Sequence, residues 1–116
     1  MTVKELYDVL GEDYEEIFER IGADTYIVKY LKKFAAENYL EELCSAFESK
    51  NWEEAFKASH SLKGMGLNLG LARLANASSV LCETVRNGAP AVDTEPLIAE
   101  VRKEYEFAVS NINKFE

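Results

Sequence analysis

The chain has 116 residues, a formal net charge of −8 and an apolar fraction of 47%. One domain is expected at this length, with enough apolar residues for a core. Nucleic acids and anionic membrane surfaces are disfavoured as partners, because binding to either depends on clustered lysine and arginine. No apolar run approaches the roughly 18 residues that span a bilayer. The N-terminus has no secretory signal, so we expect a soluble, cytoplasmic protein.

Apolar residues recur with helical spacing along the chain, which predicts an all-α fold. Two short helices come first, within residues 1–22. Thr2 opens the first with the Thr-x-x-Glu pattern of a capping box, and Gly11 ends it. The second begins at Asp13 and ends at Gly22. We expect these two helices to cap one end of the main fold.

Residues 24–113 are predicted to hold four substantial helices. Asp24 is the expected N-cap of the first, whose apolar stripe continues to Phe47. Around Ala36–Asn38 the pattern allows either a continuous helix or a break. The short connections favour antiparallel neighbours, so the predicted architecture is an up-down four-helix bundle within a single domain of residues 1–116.

Caps define the other three helices of the bundle. Asn51 is the expected N-cap of the second, which Gly70 closes in the left-handed conformation. The third is predicted from about Leu71 to Arg86. Asp93 or Thr94 is expected to cap the last helix.

The two cysteines, Cys44 and Cys82, are far apart in the sequence and lie among apolar residues. One histidine and two separated cysteines cannot supply the four ligands of a structural zinc site. We therefore interpret both cysteines as small buried hydrophobic residues and not as a disulfide or a metal site.

The single histidine, His60, lies in the helix that follows Asn51. Each helical residue advances roughly 100°, which puts His60 roughly 110° from the centre of the apolar face. The imidazole is therefore expected on the shoulder of the core, exposed to solvent. Imidazole is a nucleophile whose charge changes near physiological pH, so the hypothesis is a site that receives a phosphoryl group.

Four residues of the same helix are candidates to assist His60. Lys63 is an ordinary surface lysine by default, but beside His60 it would offset the charge of a phosphoryl group. Gly64 costs the helix about 1 kcal/mol relative to alanine, which favours a role in letting a partner approach. Leu67 is either edge packing or part of an apolar docking surface. Lys57, three residues before the histidine, is a further docking candidate.

The run His60-Ser61-Leu62-Lys63-Gly64, followed by Gly70, resembles the pattern of the histidine-containing phosphotransfer (HPt) domain family. That pattern is His-x-x-Lys-Gly with a second glycine ten residues after the histidine. The resemblance covers roughly residues 24–113, and it implies a four-helix bundle. Met65 and Leu67 are bulkier than the small residues common there, which bears on the choice of partner.

The resemblance implies that His60 accepts a phosphoryl group from an aspartyl phosphate and returns it to another receiver domain. Lys63 would stabilise the phosphate and Gly64 would allow close approach. Arg73, early in the next helix, is a weaker candidate for the same neighbourhood. The implied partners are response-regulator receiver domains and a hybrid sensor histidine kinase. The chain would need no cofactor of its own, and the receiver would supply the magnesium ion.

Two other functions compete with this interpretation. One is a non-catalytic helical adaptor that docks on receivers or kinases. The other is a small acid–base enzyme, which a histidine on a helix shoulder without a cleft disfavours. No nucleotide-binding loop is present, so we expect a phosphocarrier and not a kinase. A monomer is expected, since no extra exposed apolar stripe is evident.

Overall fold

The computed structural model describes residues 1–115, which form seven α-helices and no strand. The helices are α1 (Val3–Leu10), α2 (Tyr14–Ile21), α3 (Asp24–Ala36), α4 (Tyr39–Glu48), α5 (Trp52–Asn68), α6 (Ala72–Thr84) and α7 (Glu95–Lys114). The all-α prediction is confirmed. In residues 1–115 no helix combines the length and apolarity that crossing a membrane requires.

The number of helices differs from the prediction, because the first helix of the expected four is divided in two. Helix α3 ends at Ala36, and Glu37 is extended, with φ −92° and ψ 166°. The hydroxyl of Tyr105 in α7 donates to the carbonyl oxygen of Glu37 at 3.2 Å. This long-range hydrogen bond satisfies a carbonyl at the break, so the chain does not need to continue the helix there.

Most helix ends follow the predicted caps. Thr2 forms the complete capping box with Glu5. The Asn51 side chain accepts the third backbone N–H of α5 at 3.2 Å. Gly11 and Gly70 have φ of 71° and 70°, the left-handed conformation in which glycine is favoured.

The structure corrects one cap assignment, at Asp24, and distinguishes the two candidates for another, at the start of α7. Ala23 is the N-cap of α3, because the carboxylate of Asp24 instead accepts a hydrogen bond from the Tyr14 hydroxyl at 2.6 Å. Thr94 occupies the N-cap position of α7, but its side chain makes no cap bond. Asp93 accepts the first backbone N–H of that helix at 3.1 Å.

One apolar core joins the helices. Helix α5 packs against α4 and α6, and α7 packs against α6, α3 and α4. The largest fully buried side chains include Tyr7, Leu10, Ile17, Ile27, Leu31, Phe34, Leu43, Leu62, Leu74 and Leu81. The histidine-bearing helix is therefore held by neighbours on two sides.

Both cysteines are free thiols. Cys82 is buried as predicted, whereas Cys44 is half-buried, with the Arg102 guanidinium donating to its Sγ at 3.3 Å. Burial raises the pKa of the Cys44 thiol.

The N-terminal helices contact the turn between α5 and α6. The buried Tyr7 hydroxyl of α1 donates to the carbonyl oxygen of Leu69 at 2.6 Å. Arg20 of α2 donates to the carbonyl oxygen of Leu67. These bonds satisfy carbonyl groups that the end of α5 leaves without helical partners. The short helices therefore hold the C-terminal end of the histidine helix.

Gly66 marks a close approach between α5 and α6. A Cβ at this position would lie 2.9 Å from the backbone nitrogen of Ala75 and 3.0 Å from its Cβ. Backbone atoms cannot move aside as a flexible side chain can, so Gly66→Ala is expected to lower the free energy of unfolding by about 1–3 kcal/mol. Denaturant titration monitored by circular dichroism measures this change.

Gly64→Ala is the matched control, two residues earlier in the same helix. A Cβ at Gly64 would meet no atom within 4 Å. Alanine there should raise the free energy of unfolding by about 1 kcal/mol through helix propensity alone. If both substitutions stabilised the protein equally, the tight contact at Gly66 would be contradicted.

Candidate functional site

His60 is exposed on α5, as the helical arithmetic predicts. Ser59 and Leu62, its neighbours on the core side, are both fully buried. Within residues 1–115 no side chain or backbone group makes a hydrogen bond to the imidazole in this structure. The ring therefore stands at the border between core and solvent, where a partner can reach its nitrogen atoms.

Phe56, one helical turn before the histidine, orients the imidazole. The two ring centroids are 5.7 Å apart and the ring planes differ by 14°. Stacking covers one face of the imidazole with an apolar group and restricts its rotation. The ring nitrogens lie in the ring plane, so stacking on a face leaves them available for reaction.

The other predicted residues of α5 lie along the same helix as His60. Gly64 is half-buried and borders open space. Lys63 is half-buried, and Leu67 is 51% exposed. Lys57 forms ion pairs with two glutamates of its own helix, at 3.3 and 3.7 Å. Lys57 is thus partly neutralised, whereas Gly64 leaves a gap beside the imidazole.

Arg73 is not brought to the histidine. Its guanidinium pairs with Glu104 of α7 at 3.6 Å and lies 5.4 Å from the ring centroid of Phe107. Its backbone N–H donates to the carboxylate of Glu12 at 3.2 Å. These contacts fix Arg73 against α7 and the loop between α1 and α2, where it ties elements of the fold together.

A different arginine lies beside the stacked rings. Helix α6 ends at Thr84, earlier than the predicted Arg86, and the guanidinium carbon of Arg86 is 5.4 Å from the centroid of the Phe56 ring. Glu83 holds this guanidinium through two contacts, of 3.0 Å to Nε and 2.5 Å to Nη2. Sequence reasoning missed Arg86. The signal that could have found it is the hairpin geometry, in which Phe56, 14 residues before Gly70, faces the end of α6, 14 residues after Gly70 and close to Arg86.

The site combines an exposed nucleophilic ring, nearby cations and a gap at Gly64. Such an arrangement suits the transfer of an anionic group between two macromolecules, because the imidazole is exposed on α5 and makes no hydrogen bond within residues 1–115. Among the residues that the structure describes, no three histidine, cysteine, aspartate or glutamate side chains group as a metal site would require.

Comparison with known proteins agrees with this chemistry. The family model of the Hpt domain matches residues 33–109, which is more than half of the chain. No curated protein and no solved structure gives a significant match. The matched segment begins within α3, so α1 and α2 lie outside it, and it contains His60, Lys63, Gly64 and Gly70. The chain therefore belongs to the Hpt domain family, whose members carry phosphoryl groups in two-component signalling.

Proposed function

We propose that this protein carries a phosphoryl group on His60 between the aspartyl phosphates of receiver domains in a phosphorelay. The observation that carries this proposal is the exposed imidazole beside the open space at Gly64. A macromolecular donor needs that space, since its aspartyl phosphate lies in a protein surface that must come close to the ring. Lys63 supplies positive charge next to the histidine.

The transfer step needs little covalent chemistry from the protein beyond positioning and charge. The lone pair of the distal ring nitrogen, Nε2 of His60, attacks phosphorus in line. The new N–P bond forms as the P–O bond to the aspartyl carboxylate breaks, and the carboxylate leaves with the electron pair. The proton on the other ring nitrogen, Nδ1, stays in place. The phosphorylated imidazole ring therefore carries a positive charge next to the dianionic phosphoryl group. The reverse step loads the next receiver.

The partners of this reaction follow from its chemistry. Response-regulator receiver domains would supply the aspartate and the magnesium ion, and a hybrid sensor histidine kinase would supply the phosphoryl group upstream. The chain itself acts as a phosphocarrier without kinase activity. Its monomeric state and its cytoplasmic location stay predictions.

The expected architecture is an up-down four-helix bundle, in which α3 and α4 together take the place of one helix. Three packing relations support it: α5 against α4, α6 against α5, and α7 against α6. Helix α7 also packs against α3 and α4, so the last helix contacts the first part of the proposed bundle. In such a bundle His60 would lie on the solvent-facing side of α5, at the edge of the core.

Incubation with purified, radiolabelled phospho-receivers tests the proposed function. We expect the protein to gain one acid-labile, base-stable phosphoryl group, and mass spectrometry should map it to the peptide containing His60. The label should then pass to a second, unlabelled receiver. A protein that binds receivers but never gains label would instead be a docking adaptor.

Lys63→Ala is expected to reduce phosphoryl transfer or to shorten the life of the phosphohistidine several-fold, because a cation beside a dianionic group is lost. Unfolding should change little. The measurements are the initial rate of label transfer and the half-life of the phosphorylated protein. Lys103→Ala, which removes an exposed lysine paired with Glu100 on α7, is the matched control. Equal half-lives for the two variants would remove the assigned role of Lys63.

A further inference from the structure

The carboxylate of Glu83 holds Arg86, the cation that lies over the Phe56 ring. It binds the guanidinium of Arg86 through two contacts, of 3.0 and 2.5 Å. The hydrogen bond from Arg86, and then the charges of Arg86 and Lys63, keep the pKa of Glu83 below its usual value. Glu83 therefore binds the cation that follows α6 and is within electrostatic range of Lys63 on α5.

Arg86 and His60 are connected through the ring of Phe56. The guanidinium carbon of Arg86 is 5.4 Å from the Phe56 centroid, and that centroid is 5.7 Å from the centroid of the His60 ring. A cleft of about 360 Å³ opens beside Phe56 and Arg86, between α5 and the loop after α6. The long side chain of Arg86 therefore borders open space and is not packed in on every side.

The negative charge of Glu83 disfavours the proposed phosphorylation of His60. A phosphoryl group brings roughly −1.5 to −2 charge to the histidine at neutral pH. The Glu83 carboxylate repels that charge and binds Arg86, a cation that would otherwise offset it. This repulsion is absent before phosphorylation, when Glu83 is the only described anion bound to Arg86.

We propose that Glu83 is a resting-state counterion, which holds Arg86 and attracts Lys63 until His60 is phosphorylated and then releases them to the phosphoryl group. This inference rests on the proposed function, since it assigns a regulator of the same site. Glu83 keeps the unphosphorylated surface ordered, and it makes the phosphorylated state less stable than the cations alone would. The phosphoryl group is therefore passed on more readily to the next receiver.

Glu83→Gln tests the proposal, with Glu100→Gln as the matched control. Glu100 is also an exposed glutamate in an i,i+3 ion pair, with Lys103 at 3.8 Å on α7. For transfer from a phosphorylated receiver, Glu83→Gln should shift the equilibrium constant about threefold toward the phosphohistidine, the order expected for one charge acting through solvent. Glu100→Gln should leave the constant unchanged.

A second measurement does not use a receiver. Potassium phosphoramidate, a small phosphoryl donor, should label His60 in the wild-type protein. The Nε–H resonance of Arg86 should then move, because its bond to Glu83 is broken. In Glu83→Gln the same resonance should start near its phosphorylated position and move less.

Three results would overturn the proposal. The first is an equal equilibrium constant for Glu83→Gln and Glu100→Gln. The second is an equilibrium constant that Glu83→Gln shifts away from the phosphohistidine. The third is an Arg86 Nε–H resonance that does not move on phosphorylation. If phosphoramidate cannot label His60, both this inference and the proposed function fail. If phosphoramidate labels His60 and Arg86 responds but no receiver transfers its phosphoryl group, the relay function fails and the role of Glu83 stands.

Discussion

His60→Gln is expected to abolish phosphorylation completely while leaving the fold unchanged. Glutamine has no nucleophilic nitrogen, and the chain contains no second histidine to replace the first. The substituted side chain is exposed on α5, where such changes alter the free energy of unfolding by less than about 0.5 kcal/mol. Acid-labile label after incubation with phospho-receivers, and thermal unfolding by circular dichroism, measure the two effects.

Binding to receivers is expected to survive the loss of the His60 imidazole. A phosphocarrier with glutamine at position 60 should still bind receivers, because the open space at Gly64 and the exposed Leu67 side chain remain beside the altered position. Calorimetric titration of an unphosphorylated receiver would show this. Acid-labile label on His60→Gln at the wild-type level would place the acceptor elsewhere and contradict the proposed function.

Gly64→Gln is expected to slow transfer from a phospho-receiver on the order of 10- to 100-fold, the size of effect that small errors of position produce in group transfer. A Cβ at this position meets nothing within the protein, so the longer side chain extends into the space that a partner would occupy. The free energy of unfolding should stay the same or rise slightly, because glutamine is a better helix former than glycine. Rapid-quench kinetics measure the transfer rate.

The size of the donor provides the control for Gly64→Gln. Phosphoramidate is small enough to reach the imidazole past a glutamine side chain, so labelling by this donor should keep its wild-type rate. Gly64→Ala should fall between the wild type and Gly64→Gln when a receiver is the donor. Equal slowing with both donors would mean that the substitution disturbs the imidazole itself and not the approach of a partner.

The local signals of the sequence predicted much of this fold. The capping box at Thr2, the N-cap at Asn51 and the left-handed Gly70 all depend on contacts between residues a few positions apart. Such short-range contacts can be inferred from spacing alone. The exposure of His60 was likewise predictable, because it follows from the angular position of one residue on one helix.

Features that depend on contacts between distant residues were not predictable in the same way. The break after Ala36 involves a hydrogen bond from Tyr105, and the cap expected at Asp24 is replaced by a bond from Tyr14. Arg73 was a candidate because it comes early in the helix after His60, whereas Arg86 was not singled out. In an antiparallel helical hairpin, residues close to the turn face each other, and residues far from the turn face each other. Arg73 is close to the turn at Gly70 and His60 is not, so the two do not meet.

The contacts of α1 and α2 with later helices have a consequence for the order in which the chain folds. Helix α1 packs against α7, and the Tyr7 hydroxyl binds the carbonyl oxygen of Leu69. Helix α1 therefore waits for α7, which is synthesised after it, before its own packing is complete. Translation must reach the C-terminal segment before the N-terminal helices can close this end of the molecule.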